Sequence, residues 1–125
     1  MTALHDFARR YIAVWNEPDA EHRRAQIAAL WREDGTHFTP SMEARGHAAL
    51  EARIAGAYAR WVATGLYVFR STGDANGHHG GVRFHWQMVA IADQTIHGAG
   101  FDFVVLDDDG RIVSDHQFVD PTPAR

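Results

Sequence analysis

Residues 82–106 read VRFHWQMVAIADQTIHGAGFDFVVL, and the period of their side chains indicates the fold. From Val82 to Ile91, large apolar residues alternate with polar ones, which is the two-residue period of a strand with one buried face. The apolar set is Val82, Phe84, Trp86 and Met88. We therefore predict a strand that packs this face against a second layer of the protein.

The stretch from Ile96 to Leu106 predicts the next strand, and two of its residues on one face are glycines. Gly98 and Gly100 share that face with Asp102. Glycines let a sheet bend and leave space beside it, so we expect a pocket here with Asp102 pointing into it. A carboxyl group buried among apolar neighbours is costly without a partner, which favours a functional role for Asp102.

Working outward, the remaining sequence predicts three helices before the hairpins. Apolar residues recur at helical spacing from Leu4 to Trp15, Asp19 is placed to cap a second helix, and a third runs from Gly46 to Gly65. We expect strands at residues 36–39, 66–71, 82–91, 96–106 and 111–119, with a loose glycine-rich turn before residue 82 and a tight turn at residues 107–110.

This order indicates an α+β fold: a cone in which three N-terminal helices pack on a strongly curved mixed or antiparallel sheet that encloses a pocket. With 125 residues, 46% of them hydrophobic and 22% charged, the chain has the size and balance of one domain, residues 1–125.

Composition and charge exclude several partners and cofactors. The chain has no cysteine and a formal net charge of −4, which argue against thiol chemistry and against nucleic acid as a partner. No apolar run has the length of a membrane span and the N-terminus lacks the features of a signal peptide, so we expect a cytoplasmic protein without a membrane partner. The nine histidines show no metal-binding spacing, so we expect neither a metal nor another cofactor.

Five segments together resemble a known superfamily. They are RYIAVWNEPD (10–19), LWREDGTHFTP (30–40), FHWQMV (84–89), GFDF (100–103) and LDDDGRIVSDHQFVD (106–120). In order and spacing they resemble the nuclear transport factor 2-like superfamily, and especially its ketosteroid isomerase and SnoaL-like polyketide cyclase branch. The resemblance covers nearly the whole chain and implies the cone fold.

The resemblance also implies roles for single residues. Tyr11 falls where the isomerases place a phenol that donates to an oxyanion, and Asp102 falls where they place a protonated acid with the same task. The two positions where relatives carry the base hold Thr39 and Gln117, and neither side chain accepts a proton usefully.

Two other residues are candidates for the missing base. Asp115 faces inward on the last strand and is the preferred candidate. His37 is the second, because an imidazole titrates near neutral pH.

Two functions follow as hypotheses. The first is binding and cofactor-free acid/base conversion of a small apolar carbonyl compound in the cone pocket, by isomerisation, cyclisation or dehydration. The alternative is a non-catalytic ligand-binding or dimerising domain of the same fold. The residues expected to line the substrate site are Trp86, Phe84, Thr39, Gln117, Trp15, Tyr58 and Met88.

The outer face of the sheet is too apolar to be left entirely in water. It carries Arg83, His85, Gln87, His97, Phe101 and Phe103. We expect a homodimer through this face, as the resemblance also implies.

Overall fold

The helical layer comes from the first half of the chain, as the spacing of its apolar residues predicts. The computed structural model describes residues 3–121. The Asp19 side chain accepts a hydrogen bond from the Glu21 amide at 3.1 Å and so caps the second helix. Gly65 adopts the expected left-handed conformation, with φ +79°. The helices are α1 (Ala3–Asn16), α2 (Ala20–Leu30) and α3 (Gly46–Ala57), and a π-helical turn (Tyr58–Val62) extends α3.

Seven strands form one mixed sheet behind these helices. They are β1 (Thr36–Thr39), β2 (Met42–Arg45), β3 (Tyr67–Ser71), β4 (Asn76–His78), β5 (Gly81–Ala90), β6 (Ile96–Leu106) and β7 (Ile112–Val119). The strand order is β2-β1-β7-β6-β5-β3, and β4 pairs with β5 away from this path. The β1–β7 pair is parallel and the other pairs are antiparallel. The predicted α+β cone fold of helices on a mixed sheet is confirmed.

Two strands were not predicted from the sequence. β2 returns antiparallel to β1 after the turn at Pro40, and β4 forms a hairpin with β5. The expectation of a loose turn before residue 82 is wrong for this second hairpin. His79 and Gly80 have φ values of +51° and +80°, the conformation with which a two-residue loop joins twisted antiparallel strands.

The alternation in β5 places its side chains as predicted. Val82, Phe84, Trp86 and Met88 are all buried, and their neighbours across β6 are the residues of the glycine face. Val82 pairs with Val104, Phe84 with Asp102, Trp86 with Gly100 and Met88 with Gly98. The apolar face of β5 and the face that carries Asp102 therefore form one continuous inner surface.

The expected empty space beside the glycines is not present at Gly100. A Cβ built on Gly100 would lie 2.6 Å from Cζ2 of Trp86 and 2.1 Å from the backbone oxygen of Phe118. The indole of Trp86 occupies the volume that a side chain would take, so this glycine makes room for a ring rather than for a pocket. At Gly98 the nearest atoms belong to Met88, at 3.6 Å and 3.7 Å.

The outer face of the sheet carries several exposed apolar side chains. Phe101 and Phe118 stack with ring centroids 4.7 Å apart, and Phe103 and Val105 are exposed beside them. Burial of such a patch stabilises an association. The homodimer through this face stays a prediction, which sedimentation equilibrium can test. Within residues 3–121, no helix is long and apolar enough to cross a membrane.

The two glycines of β6 give a matched pair of variants. Gly100→Ala forces a methyl group against Trp86 and backbone, so we expect it to lower the free energy of unfolding by about 2 kcal/mol or more. Gly98→Ala meets only ordinary contacts, so we expect it to change that free energy by less than about 1 kcal/mol. Urea denaturation followed by tryptophan fluorescence measures both. Equal stability of the two variants would contradict the tight contact at Gly100.

Candidate active site

The centre of the site is the phenol of Tyr11, which lies between two buried carboxyl groups. Tyr11 is on the inner face of α1, and its ring packs edge-on against Phe84 with centroids 4.9 Å apart. Its hydroxyl lies 2.9 Å from Oδ2 of Asp102 and 2.6 Å from Oδ2 of Asp115. The phenol thus joins β6 to β7 across the interior of the cone.

A tryptophan holds the second oxygen of Asp102. Nε1 of Trp86 donates to Oδ1 of Asp102 at 2.9 Å, and the side chain of Asp102 is completely buried. The indole can reach this carboxyl group because Gly100 leaves room for it on the neighbouring strand. Among residues 3–121, Asp102 bonds to Tyr11 and Trp86 and forms no ion pair with an arginine.

The parallel pairing of β1 and β7 brings His37 to Asp115. Phe38 is paired with His116, so the residues that precede them lie side by side on the inner face. Nδ1 of His37 lies 2.7 Å from Oδ2 of Asp115, and both side chains are completely buried. The two residues that the sequence offered as alternative bases are therefore one hydrogen-bonded pair.

Burial keeps the proton on Asp102. Loss of solvent raises the pKa of Asp102 well above its ordinary value, and the nearby Asp115 carboxylate raises it further. Burial and the same two carboxyl groups raise the pKa of the Tyr11 phenol well above 10. The phenol has one proton, so it can donate to only one of the two carboxyl groups. When the phenol donates to Asp115, neutral Asp102 can donate its own proton to the phenol oxygen.

The pair on the other side of Tyr11 has a charged acid and a neutral ring at neutral pH. Burial raises the pKa of Asp115 to about 6, and burial lowers the pKa of His37 to about 4. Asp115 is then the acceptor, so the proton of His37 lies on Nδ1 and Nε2 carries a lone pair. Nε2 of His37 and Oδ1 of Asp115 have no hydrogen-bond partner among residues 3–121.

The same three residues are the described group that could hold a metal ion. His37, Asp102 and Asp115 each offer one ligand atom, and these atoms lie within 4.8 Å of one another. Two ligands at about 2.1 Å on one ion lie about 3 Å or more apart, whereas the His37 to Asp115 contact is 2.7 Å. The present spacing is that of a hydrogen bond, and the expectation of no metal stays a prediction.

Trp15, Arg53 and Gln117 form a layer next to this cluster. The guanidinium of Arg53 lies 5.1 Å from the Trp15 ring centroid and donates from Nη2 to Oε1 of Gln117 at 3.1 Å. Trp15 in turn lies 5.3 Å from the His37 ring. We call these three residues the mouth layer, because exposure along β7 rises from buried Asp115 through half-buried Gln117 to Val119, which is 57% exposed.

The other expected substrate contacts are scattered. Phe84 packs on Tyr11, and Met88 is buried beside Gly98. Tyr58 instead lies under the guanidinium of Arg23 at 5.0 Å. The hydroxyl of Thr39 accepts from the amides of residues 41 and 42 in the β1–β2 turn.

Sequence reasoning missed two features of the site. One is the hydrogen bond from Trp86, for which Gly100 directly opposite is the signal. The other is Arg53, the polar member of an α3 face that is otherwise defined by Leu50 and Ile54.

Solved structures provide the comparison with known proteins. A crystal structure from Agrobacterium tumefaciens strain C58, described as a proposed isomerase of the SnoaL-like family, is 31% identical to this chain. It superimposes with a TM-score of 0.86 over 97% of this chain and 100% of the other. Neither a protein-family model nor a curated protein matches the sequence.

More distant structures share the fold alone. A SnoaL-like protein of unknown function from Burkholderia thailandensis has 16% identity and a TM-score of 0.72, covering 97% of this chain and 99% of its own. A proposed polyketide cyclase from Sinorhizobium meliloti has 12% identity and a TM-score of 0.68, with 90% and 94% covered.

The protonation of Asp102 gives a pH-dependent prediction. Its folded pKa lies above that of the unfolded chain, so its contribution to stability is complete below about pH 4 and is lost as pH rises through the folded pKa. Asp102→Asn cannot ionise and lacks this loss. We expect the variant to gain more than about 1 kcal/mol in free energy of unfolding, relative to wild type, between about pH 4.5 and about pH 8.

Urea denaturation at the two pH values measures this difference. Asp108→Asn, at an exposed position of the β6–β7 turn, controls for the loss of one carboxylate. A difference between Asp102→Asn and wild type that stays constant with pH would show that Asp102 is ionised in the folded protein.

Proposed function

This chain belongs to the SnoaL-like family, and we propose that it is a cofactor-free acid/base enzyme that isomerises, cyclises or dehydrates a small carbonyl compound. One observation carries the proposal: a neutral imidazole with a free Nε2 is held by a buried carboxylate, beside a buried acid whose pKa is raised. Proton transfer within a site needs a base with a free lone pair and an acid that keeps its proton. Because burial lowers the pKa of His37 to about 4, its ring is neutral and ready to accept a proton at neutral pH.

The contacts favour His37 over Asp115 as the base. Each residue keeps one free acceptor atom, Nε2 of His37 and Oδ1 of Asp115. The carboxylate of Asp115 already accepts two hydrogen bonds at Oδ2, from Tyr11 and from His37, and these weaken it as a base. Asp115 then fixes the tautomer of His37 and stabilises the imidazolium that forms when the ring takes a proton. This assigns Asp115 a positioning role in place of the base role preferred from the sequence.

The proposed reaction conserves protons within the site. Nε2 of His37 removes the proton next to the substrate carbonyl, and the electron pair of that C–H bond moves to the carbonyl oxygen. Asp102, as a neutral acid, donates to this oxygen in place of its contact with Tyr11. In a β,γ-unsaturated carbonyl compound the imidazolium then returns its proton to the γ-carbon, the electron pair on oxygen re-forms the C=O bond, and the C=C bond shifts to the α,β position. Asp102 keeps its proton throughout as a hydrogen-bond donor, which completes an isomerisation.

Substrate access requires the mouth layer to move. The side chains of Tyr11, His37, Asp102 and Asp115 are at most 1% exposed in the structure. Gln117 is half-buried and lies one inward-facing position beyond Asp115 on β7, so we propose that the entrance opens beside Gln117 when Trp15 moves. Phe84 and Met88 are buried on the inner face of β5, and apolar side chains there suit a substrate with an apolar body.

The complete burial of the cluster favours the alternative function. Buried polar networks can specify a core without any chemistry, and a non-catalytic binding domain would need no entrance to His37. The two functions differ in whether a bound ketone exchanges the hydrogens next to its carbonyl.

A two-step experiment separates the two functions. Thermal-shift screening against ring ketones, polyketide-like aromatics and steroids identifies compounds that bind the folded protein. Proton nuclear magnetic resonance in D₂O then measures hydrogen exchange in each bound ketone. Exchange catalysed by the protein supports the enzyme, and binding without exchange supports the non-catalytic domain.

We expect His37→Gln to slow the exchange by at least about 100-fold, because the amide cannot take a proton. Asp115→Asn should also slow it, and the wild-type rate should rise with pH through about 6 as Asp115 ionises. His85→Gln is the matched control, because His85 also pairs with an aspartate, Asp74, but on the surface. A His37→Gln variant with the wild-type rate would exclude His37 as the base.

A further inference from the structure

Arg53 is a half-buried cation without a carboxylate partner. Its Nη2 donates to the neutral amide oxygen of Gln117, and its Nε is buried with no hydrogen-bond partner among residues 3–121. Within the same described part of the chain, no carboxylate oxygen lies within 4.0 Å of its guanidinium. A guanidinium placed out of water in this way normally faces an anion.

Arg23, a buried arginine of the helical layer, gives a comparison. Arg23 lies 3.9 Å from a carboxylate oxygen of Glu51 and donates to the backbone oxygen of Glu17 at 2.7 Å. Both arginines lie over an aromatic ring, Tyr58 for Arg23 and Trp15 for Arg53. Nε of Arg23 also lacks a hydrogen-bond partner, so the two arginines differ in the neighbouring carboxylate of Glu51. Within residues 3–121 Arg53 has no such direct neighbour, and Asp102 and Asp115 act on it only electrostatically.

The position of Arg53 links it to the proposed base. It bonds Gln117, which lies one inward-facing position beyond Asp115 on β7, and it covers the Trp15 ring that contacts His37. A ligand held by Arg53 at the mouth layer would extend its other end toward the His37–Asp115 pair.

We propose that Arg53 binds a carboxylate of the substrate, so that the compound converted in this site is a keto acid rather than a neutral ketone. The inference rests on the proposed function and refines its substrate class. Nε and Nη2 lie on one edge of the guanidinium and form the two-pronged donor that a carboxylate accepts. The carboxylate displaces Gln117 from Nη2 and gives Nε the partner that it lacks.

This arrangement also explains the mixed character of the interior. The apolar body of the substrate contacts Phe84 and Met88, its carbonyl oxygen faces Asp102, and its carboxylate stays at the mouth layer. The positive charge of Arg53 offsets the repulsion between that carboxylate and the negative charge of Asp115, since Arg53 interacts electrostatically with Asp115.

A matched pair of probes tests the proposal by binding alone. The keto acid 2-oxo-4-phenylbutanoate and the ketone 4-phenyl-2-butanone differ in that a methyl group replaces the carboxylate. We expect isothermal titration calorimetry to show wild type binding the acid at least about tenfold more tightly than the ketone. Equal affinities, tighter binding of the ketone, or no binding of the acid would overturn the proposal.

Substitutions of Arg53 test whether this residue causes the preference for the keto acid. Arg53→Gln should abolish the preference for the acid, and Arg53→Lys should keep only part of it because an ammonium lacks the two-pronged geometry. Arg70→Gln is the matched control, since Arg70 donates to Gln87 in an exposed cross-strand pair. An Arg53→Gln protein that keeps the preference, with a thermal unfolding curve like wild type, would overturn the proposal. If Arg53→Gln fails to fold, an Arg53→Lys protein with the full wild-type preference for the acid would overturn the proposal.

The two proposals fail in different ways. Acid-selective binding without hydrogen exchange would support the carboxylate site at Arg53 and overturn the proposal that the protein is an enzyme. Hydrogen exchange without acid-selective binding would support the enzyme and overturn the carboxylate site at Arg53.

Discussion

Two fully buried carboxyl groups that share one phenol cannot both be ionised, and the chemistry of this protein depends on that constraint. Coulomb repulsion between Asp102 and Asp115 adds to the cost of burying each charge. The contacts break the symmetry. Asp102 receives one donor from Trp86, whereas Asp115 receives His37 and the shorter contact from Tyr11. Asp115 is therefore the better site for the charge, and Asp102 keeps the proton.

The fold supplies this asymmetry through its sheet. The parallel β1–β7 pair carries the His37–Asp115 contact, and the antiparallel β5–β6 pair carries the Trp86–Asp102 contact. Tyr11, on helix α1, contacts the carboxyl groups of both pairs. Gly100 is needed because a side chain there would push the indole away from the acid. A packed aromatic interior in which Nε2 of His37 and Oδ1 of Asp115 have no hydrogen-bond partner among residues 3–121 is consistent with membership of the SnoaL-like family and with a site for proton transfer.

The direction in which a side chain points depends on the local period of the sequence, and these directions were predicted. The alternation of β5 and β6 gave the inner face and the burial of Asp102, and helical spacing gave Tyr11 its inward direction. The pairing of His37 with Asp115 spans 78 residues and depends on which strand lies beside β1, which no local signal specifies. The role of Gly100 was misread for a related reason, because a missing side chain leaves room for a pocket or for a neighbour's ring. Arg53 was missed because a single arginine on a helix is usually solvated.

The protonation state of Asp102 is the most direct test of this interpretation. Carbon-13 nuclear magnetic resonance of the side-chain carboxyl groups, with Asp102 assigned by comparison with Asp102→Asn, follows each proton as pH changes. We expect the Asp102 carbon to keep the shift of a protonated acid at neutral pH, while the Asp115 carbon titrates near pH 6. An Asp102 carbon that titrates near pH 4, as in a solvated aspartate, would show that both acids are charged and that the site lacks its proton donor.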